Sequence, residues 1–154
     1  MRAPTSLVWL LWAGVVTACA AGKEPDRAAP QAFQGRGFRA LLRKDVLHNT
    51  LTPAPGVTLY DFHIGSQPLL IVHVGDRPGY PRYDFRADHE EDLQLASGLS
   101  GHCRAATSEH GSARECLFAL GPETPRHLHA FYEALGPERA KLADGVIQSF
   151  APAH

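Results

Sequence analysis

Cys103 and Cys116 bracket twelve residues in a chain of 154. The spacing matches neither C-x-x-C nor a zinc motif, so the pair reads as a structural disulfide. A bridge of that span centres a turn near Glu109 and His110, and Gly111 helps the turn close. Directly opposed positions on antiparallel strands come close enough for a disulfide, so the bridge is expected to staple a hairpin. Residues 93–99 and 115–120 read as the strands around it.

A disulfide needs an oxidising compartment, and the amino terminus offers a route to one. Arg2 makes a short positive start, and residues 7–16 (LVWLLWAGVV) form an apolar run. The run is too short to span a hydrocarbon core of ~30 Å as a helix, but it suits the apolar region of a signal peptide. Val16-Thr17-Ala18-Cys19 follows: aliphatic, small, small, cysteine. This tetrapeptide resembles the bacterial lipobox. The resemblance implies a diacylglycerol on Cys19, cleavage just before it and acylation of the new amine. With Ala20 next, sorting of the enterobacterial type would lead to the outer membrane. Ala18-Cys19-Ala20 also fits the A-x-A pattern of ordinary signal cleavage, which would release a soluble protein beginning at Ala21.

The expected organisation is a signal peptide over 1–18, a disordered tether over 19–36 rich in Ala, Pro and charge, and one globular domain over 37–154. The chain carries 15 basic and 16 acidic residues. That balance lacks the basic field nucleic-acid binding needs, so no nucleic-acid partner is expected.

Within the domain, Phe38, Leu41 and Leu42 share a helical face, so 38–47 reads as a short helix with Arg39, Arg43 and Lys44 outward. Residues 57–64 and 69–74 read as an antiparallel hairpin, 80–85 as an edge strand, and the acidic run 88–92 as an exposed loop. Leu128, Phe131, Tyr132 and Leu135 recur at helical spacing; Gly136-Pro137 interrupts, and Leu142, Val146, Ile147 and Phe150 continue an apolar face. The expectation is an α+β fold: a mainly antiparallel sheet of about four to six strands with C-terminal helices packed on one face. The closing AKLADGVIQSF resembles the last helix of the PsbP-like family, a likeness without catalytic content.

His127 and His129, two apart on a helix, would point away from one another. His89-Glu90-Glu91-Asp92 lacks the second histidine of H-E-x-x-H and the glycine of a calcium loop. Gly35 to Ala40 matches G-x-G-x-x-A without a preceding strand, and Gly98 to Gly101 is one residue short of G-x-S-x-G. If the 57–64 and 69–74 strands pair, His63 and His73 come near one another with Asp61, as partly buried core histidines or as a metal or catalytic pair. No cofactor is implied. The function expected is a non-enzymatic binding or structural module of the envelope, held to the bilayer through Cys19 and meeting an envelope protein. The alternatives are a metal-assisted hydrolase using His63, His73 and Asp61, and a small-ligand carrier.

Overall fold

A computed structural model describes residues 29–80, 86–123 and 125–153. In chain order the elements are β1 (Gln31–Gln34), β2 (Phe38–Leu42), β3 (Val46–Ala54), β4 (Val57–Ile64), β5 (Gln67–Gly75), β6 (His89–Gln94), β7 (Ser100–Ser108), β8 (Gly111–Ala119), β9 (His127–Leu135), α1 (Pro137–Gln148) and β10 (Ala151–Pro152). Seven strands form one antiparallel sheet in the order β3-β4-β5-β9-β8-β7-β6, and three form a small sheet, β1-β2-β10. Two meanders meet where β9 pairs with β5. The fold is therefore mostly β, with one helix among the described residues, and not the α+β fold with several C-terminal helices that helical spacing implied.

Two segments account for the correction. Phe38, Ala40 and Leu42 are buried and alternate with exposed Arg39 and Leu41, a strand period in a segment read as helix. Its partner is β1, within the stretch read as tether, so the ordered domain begins before residue 37. His127–Leu135 lies between β5 and β8, and its residues 128–132 are buried on both faces. A strand covered on both faces reads as a continuous apolar run, and such a run also satisfies helical spacing. The acidic run lies largely in edge strand β6, and Leu95–Leu99 makes a hydrogen-bonded turn where a strand was expected. Tyr80 is not in a strand, and residues 81–85 of the expected edge strand lie outside the described residues.

Other expectations hold. β4 and β5 pair as the antiparallel hairpin. Cys103 and Cys116 are directly opposed on β7 and β8 and joined by a disulfide. Gly111 starts β8 at φ 120°, and a Cβ there would lie 2.7 Å from the Leu135 carbonyl oxygen, so turn and packing both require glycine. α1 has Pro137 in its first turn and buries Ala140, Ala143, Val146 and Ile147.

The core lies between one face of the large sheet and a second layer made of α1 and the small sheet. Phe33 of β1 packs edge-on against Tyr60 and Phe62, with ring centroids 5.4 and 5.1 Å away. Phe150 bridges Phe38 and Phe118. After α1, β10 returns to pair with β2 and closes the layer.

Candidate functional site

Alternation along β6 divides its acidic run between the two faces of the sheet. The register aligns Glu91 with Cys103, Cys116 and Ala130, and Glu90 with Arg104, Glu115 and Phe131. Each face thus receives a carboxylate from the edge and an arginine from the next strands.

On the face toward α1, Arg114 bonds Glu91 and lies 3.5 Å from Asp144 of the helix. The Tyr132 hydroxyl donates to the same Asp144 oxygen at 3.0 Å. Burial, reinforced by the Asp144 charge, pushes the Tyr132 phenol well above its ordinary range. This network ties the sheet edge to the helix.

On the opposite face, His129 Nε2 lies 2.7 Å from Glu115 Oε1, and both side chains are 0% exposed. Arg104 lies 3.8 Å from the other Glu115 oxygen and donates to Glu90 at 3.3 Å. The His73 ring, opposite His129 in register, has its centroid 6.4 Å away. Tyr80 stands edge-on to His129 at 5.5 Å, and its phenol is pushed up by burial first and by the Glu115 charge second. With a carboxylate accepting, the hydrogen bond assigns the proton to Nε2 of His129. Such a pair can exchange a proton, but at zero exposure it meets no solvent. Its role in this conformation is to join β8 to β9. Arg104 and the hydrogen bond offset the desolvation of the two groups.

The residues singled out from sequence are dispersed. His73 lies opposite Leu59 on β4, and His63 lies opposite Pro68 on β5. The two positions are four residues apart on β4, about 13 Å along the strand. Asp61 and His63 line a shallow hollow with Asn49 and Ser66, where His63 Nδ1 lies 3.3 Å from the Asp61 main-chain oxygen. Among the described residues, no three His, Cys, Asp or Glu side chains are grouped to hold a metal ion. His127 and His129 lie on one strand and share a face, the reverse of the helical expectation. Cys19 lies outside the described residues. Glu115, Arg104 and their link to His129 were not anticipated. No spacing signal in 127–135 could have placed His129 beside β8, because residues 128–132 are buried on both faces.

An open groove of about 450 Å³ lies between α1 and β2, lined by Pro30, Leu41, Arg43, Lys141, Leu142 and Val146. Leu41 is 50% exposed there because it points away from the core face of β2. Arg43 is held by Asp45 at 2.5 Å, which lowers the carboxyl below its usual range.

No family model matches the chain, and no curated protein does.

Proposed function

We propose that this chain is exported, anchored in the bacterial envelope through a lipid on Cys19, and carries a non-enzymatic binding module. The observation that supports this most is the Cys103–Cys116 disulfide across β7 and β8. Its cysteines are buried at 1% and 0% exposure in the sheet, a structural placement that fits an oxidising compartment. The apolar run 7–16 and the Val16–Cys19 tetrapeptide supply the matching export signal.

The binding half rests on a contrast. The side chains best suited to acid–base chemistry, Glu115 and His129, are sealed, whereas the α1–β2 groove is open and has the volume of a small-ligand site. Pro30, which lines the groove, follows Cys19 by eleven residues, so an anchor at Cys19 keeps the groove within ~40 Å of the bilayer.

The test is intact mass of the protein recovered from its native membrane. The expected species is residues 19–154 plus acyl chains, two hydrogens short for the disulfide. A mass beginning at Ala21 would overturn the anchor. For the groove, Leu142→Glu is compared with the parent in thermal melting against amphipathic small molecules and in capture from envelope extracts. Identical results from both forms would remove the groove from the reading.

A further inference from the structure

We propose that β3 is an interface between two copies of this chain, paired edge to edge and antiparallel about a two-fold axis at Asn49. β3 is one edge of the seven-stranded sheet, and every position after Val46 is exposed. Its outer side presents main-chain donors and acceptors that an added strand would satisfy.

The two edges of this sheet are unlike. β6, at the far edge, carries Glu90, Glu91 and Asp92 within its six residues. A second β6 brought alongside would set like charges against one another. β3 has nine residues, VLHNTLTPA, and not one Asp, Glu, Lys or Arg. Charge on an edge is a common block to strand addition; this protein has it at one edge and lacks it at the other.

Self-pairing also fits the side-chain pattern. Leu47 and Leu51 are 54% and 58% exposed, and each is two residues from Asn49. A two-fold axis at Asn49 sets Leu47 opposite the partner's Leu51, His48 opposite the partner's Thr50, and Asn49 opposite the partner's Asn49. Both leucine pairs fall on one face of the joined sheet. Leu51 is already opposite Leu59 on β4, so the apolar strip continues from each copy across the junction. The pairing opposes no like charges. Pro53, which has no N–H to donate, and the irregularity between Leu51 and Ala54 end the paired span. The occupant this edge fits is therefore a second copy.

The axis gives a direct test with the full-length chain exported in its own envelope. Asn49→Cys brings two cysteines to directly opposed positions, about 4.5–5.5 Å between Cα atoms, which suits a disulfide. Thr52→Cys would sit opposite the partner's Val46, about 20 Å along the strand from its own counterpart. The expected result on a non-reducing gel is a covalent dimer for Asn49→Cys and monomer for Thr52→Cys and the parent. Adding Leu51→Lys to Asn49→Cys should abolish the dimer while leaving the strand signal in circular dichroism unchanged, which separates loss of pairing from loss of fold. No dimer from Asn49→Cys, or equal cross-linking of both variants, would overturn the proposal. So would an adduct whose mass is not twice that of the chain, because another protein would then occupy the edge.

Discussion

Removing the Glu115 carboxylate would leave His129 and Arg104 without the group that lies between them. Breaking one partner out of a buried ionic pair costs about 3–5 kcal/mol, and Glu115→Ala is expected to lose that much in urea denaturation. Glu115→Gln keeps an oxygen that accepts from His129 and should lose less. A loss below about 1 kcal/mol for Glu115→Ala would mean that the pair is solvated in solution. Tyr132 sets a pH limit. The folded chain keeps the phenolic proton above the pH, about 10, at which an unfolded tyrosine begins to lose it. The unfolded state then binds fewer protons than the folded one, so stability is intact below pH 10 and falls as pH rises beyond it. Tyr132→Phe should flatten that decline in melting temperature measured from pH 9 to 11. Ala134 has φ 53°, opposite the irregularity between Ser112 and Arg114. A residue with a Cβ pays about 1–2 kcal/mol in that region, so Ala134→Gly should raise the stability by about 1 kcal/mol.

At the scale of elements, β7 and β8 form a hairpin with a covalent rung between positions 13 apart in sequence. The chain-entropy model assigns a loop of this size about 3 kcal/mol, and Cys103→Ala with Cys116→Ala should lower the unfolding free energy by about that amount while the strand signal in circular dichroism persists. The turn and bridge of this hairpin were legible because two cysteines, a spacing and a glycine all indicated the same turn; its first strand was not, since 93–99 was read as strand and β7 begins at Ser100. β4 and β5 were legible too, from apolar runs separated by Gly65-Ser66. β2 and β9 were not. Phe38, Leu41 and Leu42 satisfy helical spacing, and so do Leu128, Phe131, Tyr132 and Leu135, yet the chain buries Phe38 with Ala40 and Leu128 with Ala130. Periodicity identifies a face only where one face is exposed; β9 has five consecutive buried positions and so no polar face to phase it. The acidic run at β6 read as an exposed loop, and its charges lie at both parities of a strand. The structure pairs those charges with Arg104 on one side and Arg114 on the other.

At the scale of the molecule, the second layer depends on Phe33, which lies in the stretch read as tether and packs on Phe38, Tyr60 and Phe62. A chain begun at Gly37 loses β1 and this ring. It should be less stable than one begun at Ala29 by at least the ~3–5 kcal/mol that truncating a buried phenylalanine costs, measured by paired denaturant titrations. Equal stabilities would place the domain boundary back at residue 37. What the sequence alone determined is local: the disulfide with its turn, the β4–β5 hairpin and a helix opening at Pro137. Each depends on neighbouring residues whose chemistry has few alternatives. Tertiary structure decided the rest. It made β2 and β9 strands, divided the acidic run between two faces, set His73 opposite Leu59 rather than His63, and sealed Glu115 against His129. Those outcomes follow from which strand lies beside which. Strand order is set by burying apolar faces from distant parts of the chain, and spacing within a single segment carries no record of it.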